Sequence, residues 1–161
     1  MGDLPVVDDR HPADVVTAMV DDVLRLAATW TAWDGRPREV DGRVYTPHKA
    51  IRRLADHLVD HLAQIEAQLA GVPTIPDHWH GSATTTQADL APFTGEDLDE
   101  ARSRLIRLAQ ILDLRLRTLT DDRLDRREAD AWSIRQIVFH LDESRYYADA
   151  VGDLGGTGRG S

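Results

Sequence analysis

Four stretches of this chain return apolar residues every three or four positions, and no run alternates apolar and polar residues as a half-buried strand does. A chain built this way must bury its apolar stripes by packing helix on helix. The first stretch covers about 12–33, with Val16, Met19, Val20, Val23, Ala27 and Trp30 on one stripe and Pro12 suited to a first turn. The second, 47–70, opens on Thr46-Pro47, a capping residue followed by proline at the first helical position. It carries Ile51, Leu54, Leu58, Leu62, Ile65 and Leu69 and stops at Gly71. The third, 97–119, begins where Asp97 and Glu100 have capping-box spacing and continues through Leu105, Leu108, Leu112 and Leu119. The fourth, 133–151, starts on the Ser133-x-x-Gln136 box and carries Ile137, Val138 and Leu141, leaving a glycine-rich tail from about 153 to 161 that is expected to fray.

The connections decide how such helices are arranged. Residues 35–45 hold glycine, proline and charge without a period and read as a plain connection. The segment from Gly71 to Gly95 is long and contains three prolines, and a connection of that length tends to be functional or to cross from one end of a bundle to the other. The expectation is a single all-α domain over residues 1–161: an up-down-down-up four-helix bundle with a long crossover between the second and third helices, pinned by Trp79 and Phe93, and no sheet.

Composition narrows the partners. Lys plus Arg number 19 against 28 Asp plus Glu, a formal net charge of -9, which argues against a nucleic-acid backbone as partner. No run approaches the ~18 apolar residues that a membrane span needs, and MGDLPVVDDR has neither the basic start nor the apolar run of a signal peptide, so a cytoplasmic location is expected. There are 0 cysteines, so disulfides, thiolate ligands and a cysteine nucleophile are excluded, and sulfur chemistry requires an external thiol. Lys49, the sole lysine, lies near a helix start where water is expected to keep it protonated, which argues against Schiff-base chemistry.

His57 and His61 stand four residues apart in the second helix, hence on one face, a spacing that suits two ligands of one metal. Such a pair on an arbitrary helix is more often solvated. Here Leu54, Leu58, Leu62 and Ile65 place it beside the apolar stripe, where two imidazoles need partners. His140 sits in the apolar run Ile137-Val138-Phe139-His140-Leu141; alone it would read as a satisfied core residue, but three histidines on helices sharing a core form a candidate ligand set. His78 and His80, in Asp77-His78-Trp79-His80, have a chelating spacing but lie in a polar segment without a third partner, and their contribution is left open. His11 and His48 sit near helix starts and read as surface residues.

The segment Asp56-His57-Leu58-Val59-Asp60-His61-Leu62-Ala63-Gln64-Ile65-Glu66 resembles the His-x-x-x-His-x-x-Gln-hydrophobic signature of the DinB-like (DinB/YfiT-type) metal-binding bundles. Trp132-Ser133-Ile134-Arg135-Gln136-Ile137-Val138-Phe139-His140-Leu141 is similar to that family's tryptophan-led helix carrying the first histidine. The family usually places the tryptophan-led helix first and His-x-x-x-His last. The order here is reversed, so the chain resembles a circular permutation, with about 97–151 matching the usual first helix pair and about 12–71 the second. The resemblance implies a four-helix bundle with a three-histidine metal site, in a family that includes enzymes using mycothiol, bacillithiol or related low-molecular-weight thiols.

Three neutral histidines leave a divalent ion its full charge and an open position, as in a catalytic site. The expected cofactor is a divalent metal, zinc first, with nickel or iron as alternatives, together with mycothiol or another small thiol. The expected activity is attack of a metal-activated thiol, or of water, on a small electrophile, with Glu143 and Tyr147 placed by spacing on the face of His140 as candidates for proton movement and for the pocket rim. The competing expectation is a non-catalytic metal- or ligand-binding bundle, a stress-related module or homodimer. A sealed site would favour that second reading; a site opening into a pocket would favour the first.

Overall fold

The structure, a computed structural model, describes residues 4–79 and 81–156. Helices dominate: α1 Pro12–Ala27, α2 Pro47–Ala70, α3 Gly95–Arg117, α4 Asp121–Asp125, α5 Ile134–Asp142 and α6 Arg145–Val151, with a two-stranded sheet of β1 Arg38–Val40 and β2 Arg43–Tyr45. α1 packs on α3, α5 and α6, and α2 packs on the same three helices, so the core lies between two long helices and the rest. Leu54, Leu58, Ile65, Leu105, Leu112, Ile137, Val138 and Leu141 meet there, all fully buried. Among the described residues no helix is long and apolar enough to cross a membrane.

α1 starts on His11, whose Nδ1 accepts from the Ala13 amide at 3.1 Å, with Pro12 supplying a residue that needs no partner for its nitrogen. It ends at Ala27, short of the expected Trp33, because the chain tightens into a 3-10 turn over Trp30–Ala32. That turn drives Trp30 into the core, where its indole donates to the Gly152 carbonyl at 2.8 Å.

Residues 38–45 form a hairpin and not the plain connection expected, with Arg38 opposite Tyr45 and Val40 opposite Arg43. Its two-residue turn is Asp41-Gly42, with φ of 51° and 71°, the doubly positive geometry that matches the strands' twist and that Asp-Gly favours. Strands of three residues are too short for alternation to register, so the turn dipeptide was the only local signal.

α2 is set by Thr46, whose hydroxyl accepts from the Lys49 amide, and ends on Gly71 at φ 69°. Lys49 itself is buried, contrary to the solvated residue expected. Its ammonium donates to the Val44 carbonyl at 2.7 Å and to the Thr85 hydroxyl at 3.0 Å, lies 5.2 Å over the Tyr45 ring, and burial pushes its pKa down. The segment after α2 is held by Asp89, a buried carboxylate that accepts from Arg52 at 3.0 and 2.7 Å and from the Thr86 amide at 2.8 Å. Phe93 does pin it, edge-on to Trp30 at 6.0 Å, whereas Trp79 is 54% exposed.

The capping box of α3 is Thr94 with Asp97, one turn ahead of the Asp97–Glu100 pair expected. The last expected helix is two. α5 begins on the Ser133–Gln136 box, and after Asp142 the amides of Glu143, Ser144, Tyr146 and Tyr147 bond three residues back, a 3-10 tightening that re-aims α6. The beginning of the expected frayed tail is anchored: Leu154 is 8% exposed and its amide donates to the Thr29 hydroxyl at 3.0 Å, while 157–161 lie outside the described residues. Surface pairs join particular helix ends: Asp14 with Arg117, Glu66 with Arg115, each at 2.6 Å, and His48 with Asp97 at 3.6 Å.

Candidate metal centre

His57 and His61 project from one face of α2 onto His140 of α5. Ring centroids are 5.1 Å apart for His57 and His61, 5.8 Å for His57 and His140, and 5.2 Å for His61 and His140. One ligand atom from each lies within 4.8 Å of the other two, so the three residues singled out by spacing come together. All three are partly buried, between the apolar core and a surface pocket.

The donor chemistry fits a divalent cation. Burial, reinforced by the charges of His61, Arg53 and His140, pushes His57 down to about 4. Burial also lowers His61, against the Gln64 contact, which favours the protonated ring. Both rings are therefore neutral at pH 7, the ligating form. The His61 Nδ1–H donates to Gln64 Oε1 at 2.8 Å, which fixes the tautomer and leaves Nε2 as the free lone pair. His140 Nδ1 lies 3.4 Å from Glu143 Oε2, and the Trp132 ring holds the imidazole from the side at 4.9 Å. Trp132 is in turn tied to α2 by Gln68, whose amide donates to its carbonyl at 3.2 Å. His57 Nδ1 is buried with no hydrogen-bond partner, an arrangement that costs about 1–3 kcal/mol unless something else satisfies the ring.

A cavity of about 380 Å³ opens beside the cluster, lined by His57, His140, Glu143, Ser144, Tyr147 and Arg43. Glu143 and Tyr147, expected from spacing to face this side, both reach it. The hairpin forms one wall and is fastened to α6 by the Tyr146 hydroxyl, which donates to Asp41 at 2.9 Å. A larger surface groove of about 450 Å³ lies between Leu62 and Leu114, but it offers only the Glu66–Arg115 pair and no group suited to chemistry.

Three residues near the cluster were not anticipated. Arg53, one turn before His57, is 4% exposed; it donates to Ser82 at 3.1 Å and lies 5.6 Å over the Tyr147 ring. Its Nη1 is 3.5 Å from Asp56, too poorly placed to form a hydrogen bond. The four-residue offset from His57 was a readable signal that it shares the face. Ser144 and Arg43 had none, since one depends on the helix break and the other on the hairpin.

The other histidines stay apart. His48 bonds the Pro92 carbonyl at 3.0 Å, His11 caps α1, and His78 is exposed outside the cluster. His80 lies outside the described residues. No family model, curated protein or solved structure matches the chain.

Proposed function

We propose that this chain is a DinB-like, circularly permuted four-helix bundle of up-down-down-up order that binds one divalent metal through His57, His61 and His140 and uses it to activate a small thiol, or water, against a small electrophile. The observation that carries the reading is the convergence of three imidazoles beside a pocket wide enough for a guest, with His57 and His61 held neutral and His57 also carrying a buried orphan nitrogen. The bundle order is supported by the surface pairs. Glu66–Arg115 and His48–Asp97 join like ends of α2 and α3, and Asp14–Arg117 joins the start of α1 to the end of α3. The reversed order of the two motifs supports the permutation.

His57, His61 and His140 would hold the divalent ion, zinc first with nickel or iron as alternatives, and the bound ion would lower the pKa of a thiol or water beside it. Gln64 holds His61 through its Nδ1 and Trp132 packs against the His140 ring, so both imidazoles are held in place beside His57. Glu143, exposed to the pocket beside His140, is placed to take the proton released from the nucleophile at its carboxylate. Tyr147 packs 5.7 Å from His57 and covers that side of the site. The open pocket favours this chemistry over a purely structural ion, whose site would be closed.

Metal content after purification and dialysis tests the reading. The wild type and His78→Ala are expected to carry about one ion per chain, and His57→Ala, His61→Ala and His140→Ala to lose most of it, as removal of one of three ligands requires. Equal metal in all five proteins, or loss only in His78→Ala, would overturn it.

A further inference from the structure

We propose that the pocket beside the three histidines selects a guest bearing a carboxylate, received by Arg43 and the Ser144 hydroxyl while the guest's donor atom reaches the metal. The inference rests on the metal-site reading above. Arg43 is the one cationic side chain lining this cavity, and among the described residues it makes no ion pair and no side-chain hydrogen bond. The hairpin aims it there: the Asp41-Gly42 turn sets the register that places Arg43 opposite Val40, and the Tyr146–Asp41 bond holds the turn against α6. A guanidinium suits a carboxylate through two parallel N–H donors.

Ser144 is the independent observation. It is 4% exposed, it lines the cavity, and its hydroxyl has no hydrogen-bond partner. The helix break that puts it there leaves a covered hydroxyl, which a carboxylate oxygen would satisfy once the side chain turned toward the cavity. Charge points the same way. A divalent ion on the three histidines, with Arg43 and Glu143 offsetting each other, would give the pocket a positive balance inside a molecule of net charge -9. Its volume of about 380 Å³ falls at the small end of ligand sites.

The test uses the full chain loaded with Co²⁺, whose visible absorption reports thiolate binding. Three probes are titrated: 3-mercaptopropionate (anionic), 3-mercapto-1-propanol (neutral) and cysteamine (cationic). The wild type is expected to bind the anionic thiol about tenfold more tightly than the neutral one and the cationic thiol most weakly, in line with a charge-assisted hydrogen bond. Arg43→Gln, on the exposed hairpin, is expected to erase most of that preference while keeping the cobalt spectrum and the helical circular dichroism, and Arg43→Lys to restore part of it. Ser144→Ala is expected to weaken the anionic thiol alone by a few fold. Equal affinity for the three probes, a preference undiminished in Arg43→Gln, or no thiol binding to cobalt-loaded protein would overturn the inference and leave the metal reading standing. Failure to take up Co²⁺ at all would instead sink the metal reading, and this inference with it.

Discussion

At the scale of single residues, His57 holds the most tension. It is partly buried, its pKa is depressed to about 4, and one ring nitrogen has no partner. Folding therefore keeps neutral a group that the unfolded chain protonates below about pH 6.5, and the unfolded state binds more protons as pH falls. Metal-free protein is expected to lose stability as pH drops from about 6.5 towards 4, to which His61, shifted the same way, adds. Urea melts at pH 7.5 and 5 check this, and a flat profile that His57→Phe does not alter would contradict it. Gln64 acts through His61, so Gln64→Leu is expected to weaken metal binding by about ten- to a hundredfold with the fold intact, read by competition with a chelator. The histidine cluster was legible because helical spacing alone puts His57 and His61 on one face and the apolar run around His140 turns it inward. Ser144 and Arg43 were not, because neither has a pattern until the backbone around it bends.

At the scale of elements, the long helices were readable from their stripes and caps, and the departures arise where short-range geometry overrides a stripe. Trp30 belongs to the stripe of the first helix yet lies beyond its end, because a 3-10 turn carries the indole to the Gly152 carbonyl while keeping it in the core. The box of α3 shifted because Thr94 accepts from the Asp97 amide while the Asp97 carboxylate accepts from the Thr94 amide, so Asp97 closes the box instead of opening it. The hairpin depends on a doubly positive turn, and Gly42 at φ 71° has open space around its missing Cβ, so strain and not crowding opposes a side chain there. Gly42→Ala is expected to cost about 1 kcal/mol in denaturant unfolding, with metal content unchanged, since the three histidines sit on α2 and α5.

For the whole molecule, the proposed order of helices makes a prediction about distance. In an up-down-down-up bundle the starts of α2 and α3 are neighbours, and the start of one is a full helix length from the end of the other, about 35 Å at 1.5 Å per residue. Paired spin labels near 48 and 96 are expected within about 20 Å, and labels near 48 and 117 well beyond it. The reverse ordering would remove the bundle order and the permuted resemblance together. Buried polar tethers, which apolar periodicity does not report, hold the long connection in place: Asp89 to Arg52, and Lys49 to Thr85. Arg52→Ala is expected to destabilise the chain by about 3 kcal/mol in urea, because it strands a buried carboxylate.

The hairpin stands between two helices yet contributes nothing to the three-histidine cluster, and the Asp41–Tyr146 bond links its tip to α6. On the proposed reading the ion and the guest would thus be handled by separate stretches of chain. Changes confined to eight consecutive residues, 38–45, could redirect which molecules enter while the chemistry that awaits them stayed fixed. Selection, or a designer, could treat that loop as an exchangeable cassette, and its length and charge should be where descendants of this chain diverge first.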